Sequence, residues 1–92
     1  MAMFYAEIHY QELAVIGEKE VDVRTMTPHR IGQIDSDAWR VRWTARWIEK
    51  SSSDVVKEMS DTSKNLALAR KAAQKWKNKN NPERKRGVFS WL

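Results

Sequence analysis

Residues 38–49 read Ala38-Trp39-Arg40-Val41-Arg42-Trp43-Thr44-Ala45-Arg46-Trp47-Ile48-Glu49. Odd positions carry Trp39, Val41, Trp43, Ala45 and Trp47; even positions carry Arg40, Arg42, Thr44, Arg46 and Ile48. Successive side chains of a strand point to opposite faces. As a strand, the stretch has one aromatic face and one guanidinium face; as a helix, the same residues scatter around the axis. The alternation therefore predicts a strand whose tryptophans belong to a core.

The same alternation appears upstream. From Met3 to Gln11, Phe4, Ala6, Ile8 and Tyr10 oppose Tyr5, Glu7, His9 and Gln11, the pattern of a half-buried strand. Gly17-Glu18-Lys19 is a turn candidate. Glu20 to Met26 reads as a second strand, ended by Thr27-Pro28 because proline cannot donate to a ladder. Residues 28–37 are ambiguous: Ile31 and Ile34 flank Gly32, so a strand resuming after a bulge is one reading, and Asp35-Ser36-Asp37 is a turn. Ser51–Asp54 breaks the Trp/Arg strand. Leu66, Ala69, Ala73 and Trp76 then recur at helical spacing among good helix formers. Ser60 is the expected N-cap, with Asp61 in the first turn; a longer helix from Asp54 is the alternative. Asn78–Pro82 ends the helix.

Three strands in sequence followed by a helix predict an α+β fold, a three-stranded antiparallel sheet with one helix packed on one face (β-β-β-α). Residues 1–80 form that single domain, and residues 81–92 form a basic and apolar C-terminal tail. A chain of 92 residues is one domain by size. It needs large apolar side chains to build a core, and five tryptophans supply them.

The composition excludes several chemistries. With no cysteine there are no disulfides, thiolate metal sites or cysteine nucleophile. The apolar run Leu13–Ile16 is far short of the ~20 residues of a membrane span. Met1–Phe4 lacks the basic region and apolar core of a signal peptide. These features predict a cytoplasmic protein that does not engage a membrane. Glu7 and His9 share a strand face, and Asp35 and Asp37 lie in one turn, but neither pair makes a catalytic or metal set. Gly17, Gly32 and Gly87 are too scattered for a phosphate loop. The expectation is a non-enzymatic protein without metal, cofactor or small-molecule substrate.

Charge is the positive signal. Residues 1–63 hold eight Lys/Arg against eleven Asp/Glu, whereas residues 64–92 hold nine against one. An anionic partner for the last third follows. Arg40, Arg42 and Arg46 form an array at strand spacing, about 6.6–6.8 Å per two residues, which suits successive phosphates. The competing reading pairs them across strands with Glu7, Glu20 or Asp22. Lys64, Lys71, Lys75 and Lys79 fall within roughly 80° of arc at helical period. Leu68 sits among them as a partner contact. Arg84-Lys85-Arg86 adds a basic cluster, and Val88–Leu92 an apolar terminus in which Phe89 and Trp91 are contact candidates. Trp43 is central and belongs to the core; Trp39 and Trp47, nearer the strand ends, are candidates for partial exposure and base stacking.

Two resemblances follow. The stretch Trp39–Trp76, above all Leu66-Ala-Leu-Ala-Arg-Lys-Ala-Ala-Gln-Lys-Trp76, resembles the amino-terminal arm-type DNA-binding domain of phage integrases. That implies a sheet reading DNA with a helix behind it and, with no catalytic domain following, an accessory or excision-type role. In size and sheet-plus-helix layout the whole chain resembles small phage-encoded anti-CRISPR proteins. That implies an inhibitor acting in the host cytoplasm, which occupies an RNA-guided surveillance complex and blocks target DNA binding by contacting guide RNA or acidic protein surface. A protein-only interaction module anchored by Val88–Leu92 is the third reading.

Overall fold

A computed structural model describes residues 3–83 of the chain. Arg84, Lys85, Arg86, Phe89 and Trp91 lie outside the described residues. The elements run β1 (Phe4–Ile16), β2 (Lys19–Asp22), a 3-10 turn (Val23–Thr25), α1 (Pro28–Ile31), β3 (Trp39–Glu49), β4 (Val55–Ser63) and α2 (Leu66–Lys79). The fold is α+β, as the alternation and helical spacing predict. The sheet is antiparallel in the order β2-β1-β3-β4.

That is one strand more than expected. Residues 55–63 form an edge strand, not a helix start, so Ser60 is no N-cap. Asn65 caps α2 instead, its side-chain oxygen accepting the Leu68 N–H at 2.9 Å. Val55, Met59 and Thr62 have helical spacing, but β3 offers unpaired backbone groups that the segment satisfies by pairing along Val41↔Ser63 to Trp47↔Lys57. The pairing then shifts to Ile48↔Val55, leaving Val56 as the extra residue of a bulge.

Upstream, β1 runs to Ile16, beyond the expected end at Gln11. β2 stops at Asp22, where the chain tightens into the 3-10 turn capped by the Asp22 side chain. Gly17 and Glu18 both have positive φ, 56° and 71°, the two-residue hairpin turn whose twist matches its strands. Residues 28–37 resume no strand. Thr27 caps the single helical turn α1, with Pro28 at its first position, and Asp35–Ala38 closes as the expected turn through Ala38 N–H to Asp35 C=O, 2.9 Å.

The β1–β3 register runs unbroken from Phe4↔Glu49 to Ala14↔Trp39 and fixes the faces. Ile8, Tyr10, Glu12 and Ala14 share a face with the odd residues of β3. α2 covers one half of it, packing Ala69 and Ala73 on Val41, Trp43 and Ala45, with Ile8, Ala72 and Trp76 around them. The other half is covered by Val23, Met26, Ile31 and Ile34, which gather on Ala14, Val21 and Trp39. Trp39 is half-buried, as expected, but Trp47 is only 5 % exposed. Its position near the strand end does not free it, because the last turn of α2 reaches over it. Leu66, assigned to the buried helix stripe by spacing, is 41 % exposed instead; it precedes the point where α2 meets the sheet.

The two central tryptophans differ in one respect. The Trp47 indole N–H donates to the Lys77 carbonyl at 3.1 Å, one of the terminal carbonyls that a helix leaves without an intrahelical partner. The buried Trp43 indole nitrogen has no hydrogen-bond partner among the described residues. Trp43→Phe therefore removes an unpaired donor, whereas Trp47→Phe strands a carbonyl. The Trp47 exchange is expected to cost about 1 kcal/mol more; urea melts of the two variants decide it, and equal losses would contradict the capping role.

Candidate functional site

The sheet places its arginines on the face that α2 does not cover, and two of the three are already engaged. Arg42 reaches over β1 to Glu20 through Nη2 and Oε1, and Arg46 pairs through Nε with Glu58 Oε2. Thr44 and Ser60 join by a hydroxyl–hydroxyl bond of 2.7 Å on the same face. The cross-strand reading is thus correct for Glu20. The partner of Arg46 is an acid that the sequence did not suggest, because its strand was not expected. Glu7 faces His9, Oε1 to Nε2 3.7 Å, with both exposed. Asp22 is held by Arg24 and Gln11.

Arg40 behaves differently. Its Nη1 donates to the carbonyls of Asp37 and Trp39 at 2.6 and 2.7 Å, and it has no carboxylate partner among the described residues. Although it belongs to the even row of β3, Arg40 also lines a cavity on the covered side of the sheet. That cavity is a cleft of about 430 Å³ at the seam between the two packing clusters. Val41, Tyr10 and Trp39 provide an apolar and aromatic lining, and Leu66 closes it at the start of α2. Arg40, Lys64 and Arg70 stand at its rim with Glu12 and Asn65. A second depression adjoins it through Trp39, Arg40 and Lys64. Lys64 thus precedes α2 and belongs to the cleft, not to the helix row.

Lys71, Lys75 and Lys79 are exposed on α2, on the side opposite Ala69 and Ala73, with Leu68 47 % exposed among them. No acid pairs with these lysines, Lys64 or Arg70 among the described residues. The cleft joins aromatic and aliphatic lining to three cations and one carboxylate, Glu12. It offers flat apolar surface ringed by cations, which suits binding of an anion that carries a ring. Among the described residues no group of three or more His, Asp or Glu is placed to hold a metal, and no helix is long and apolar enough to cross a membrane.

Tyr10, Glu12 and Arg70 were not singled out from sequence. A signal existed for Glu12, a carboxylate on the face of β1 that otherwise reads Phe4, Ala6, Ile8, Tyr10, Ala14. Arg70 was hidden because helical spacing gives its angle but not which neighbour it approaches.

One carboxyl titrates abnormally. The Arg24 guanidinium bond, helped by the Arg24 backbone N–H and Gln11, pulls Asp22 from an ordinary 3.8 to about 2. A lowered folded-state value means stability that is present above the unfolded value and lost as pH falls through the folded one. The melting temperature is expected to drop between about pH 4 and pH 2, and Asp22→Asn is expected to flatten that drop; an unchanged acid limb in the variant would show that Asp22 contributes nothing to it.

Comparison of the chain with family models, with curated proteins and with solved structures finds no match.

Proposed function

We propose that this chain is a small non-enzymatic binding protein acting on a nucleic acid or nucleoprotein complex. One observation carries the reading. The sheet arginines Arg42 and Arg46 hold acids in ion pairs, while Arg40, Lys64 and Arg70 line an aromatic cleft with Glu12 as its one carboxylate and form no ion pair among the described residues, and α2 carries a further row of unpaired lysines. Unpaired cations beside aromatic surface are the two components of single-strand binding, backbone attraction and base stacking.

In its most concrete form the protein is a phage-encoded inhibitor of the anti-CRISPR type, working in the host cytoplasm. It would occupy an RNA-guided surveillance complex where target DNA binds, using the cleft and the α2 lysines. The tail cluster Arg84-Lys85-Arg86 adds basic charge to the same chain, and Phe89 and Trp91 remain proposed partner contacts; all lie outside the described residues. The sheet-plus-helix layout and chain length support this form. The DNA-binding accessory reading has less support: it needs the open sheet face in a groove, and that face presents Glu7, Glu20 and Glu58 beside its arginines.

Titration with single-stranded RNA and duplex DNA at two salt concentrations tests the proposal. Single-stranded binding is expected, with log K falling against log salt at a slope of about −4 for six phosphate contacts. Lys71→Glu/Lys75→Glu/Lys79→Glu is expected to weaken it at least about tenfold, and Arg42→Ala/Arg46→Ala to leave it within about twofold, since exposed ion pairs are already satisfied. Negligible binding of both nucleic acids would defeat direct contact and leave a protein target.

A further inference from the structure

We infer that the seam between the two packing clusters is a site for one unstacked nucleotide of a single-stranded nucleic acid, the base entering the cleft and its flanking phosphates lying on Arg40, Lys64 and Arg70. The inference rests on the nucleic-acid reading above and makes it specific to one site.

The geometry selects the ligand in three ways. First, Tyr10 and Trp39 lie in different rows of the β1–β3 pair, with the Glu12↔Val41 row between them. Rows on one face are about 6.6–6.8 Å apart, so the aromatic side chains are walls on either side of a Val41 floor. A flat ring fits against either wall, and the cleft, about 430 Å³, has the size of a small-ligand pocket.

Second, the three cations come from three places in the chain: the start of β3, the link before α2 and the second turn of α2. All three line the same cleft, and Arg40 and Lys64 also line the depression beside it. Cations spread over a cleft and its neighbour suit the successive phosphates of a strand. Third, Glu12 would repel a phosphate at its own side of the rim. A carboxylate there accepts hydrogen bonds, as an amino or imino group on a base edge requires.

Duplex cannot present this ligand without unpairing, because its bases are stacked inside. The cleft is accordingly a device for single strands, while the α2 lysines attract any polyanion.

The experiment compares two fluorescent RNA octamers of equal phosphate count, one bearing bases throughout and one abasic at its central positions, by anisotropy on the full chain. The base-bearing strand is expected to bind roughly 5- to 150-fold more tightly, the value of one stacked base. Tyr10→Leu, which keeps apolar bulk at an exposed position, is expected to remove most of that ratio. Lys71→Glu/Lys75→Glu/Lys79→Glu is expected to weaken both octamers alike and preserve it. DNA octamers of the same pair identify the sugar; the ratio in either backbone supports the site. Equal affinity for base-bearing and abasic strands overturns the nucleotide site while leaving the phosphate-binding reading intact. Failure of every strand to bind overturns both. A Tyr10→Leu variant that melts like the parent and keeps the full ratio also overturns the site.

Discussion

A mismatch of lengths governs this structure. β3 has 11 residues, about 36 Å at strand rise, and one face of it is apolar from Trp39 to Trp47. α2 has 14 residues, about 21 Å at helical rise. A helix of that length cannot cover that strand. It lies close over the Trp43–Trp47 half because Ala69 and Ala73, both fully buried, let its backbone approach the ring surfaces. The remaining half, around Trp39, needs a second cover. The chain between β2 and β3 supplies it with Val23, Met26, Ile31 and Ile34. Two covers on one face meet at a seam, and the seam falls at Val41 and Tyr10. The candidate site is thus a consequence of how the core is closed.

The same constraint explains why the ends of α2 are built as they are. The N-terminal end is satisfied locally by Asn65 and overhangs the seam, which leaves Leu66 exposed and brings Arg70 to the rim. The C-terminal end is tied down. Trp76 C=O accepts both the backbone and side-chain N–H of Asn80, at 2.9 Å each, and Lys77 C=O accepts the Trp47 indole. One end of the helix is anchored in the core and the other borders open surface.

Periodicity made the two long strands legible, because β1 and β3 are central and each has one buried face. Trp43, Val41 and Ala45 could be placed in the core from residues 38–49 alone. β4 was illegible for the opposite reason. It is an edge strand with Val55, Val56 and Met59 all exposed, so neither face imposes alternation, and its sparse apolar residues imitate a helix. Lys57 and the bulge at Val56 are features that keep an edge strand from pairing with another chain, and they also erase its pattern. Of the candidate site, Arg40 and Lys64 were visible as charges, but their meeting was not. It depends on the register that sets Trp39 opposite Ala14 and on the point where α2 begins, and neither is fixed by local spacing. Glu58 illustrates the cost of one missed strand: without β4, only Glu7, Glu20 and Asp22 were in view as partners for the sheet arginines, and the face looked more cationic than it is.

The placement of acids gives the molecule a polarity that net charge conceals. On the open sheet face, Glu7, Glu20 and Glu58 stand beside the arginines and cancel much of their field. Exposed ion pairs of this kind add little stability, so their main effect is on how the surface looks to a charged partner. On the other side, the cations at the seam have Glu12 near them but no ion pair, and those along α2 have no ion pair among the described residues. The open face thus presents carboxylates beside its cations, whereas α2 presents Lys71, Lys75 and Lys79 without ion pairs among the described residues. Fields arranged in this way differ in how they steer a charged partner, and the difference is set by where the acids of β1, β2 and β4 fall in the register of the sheet.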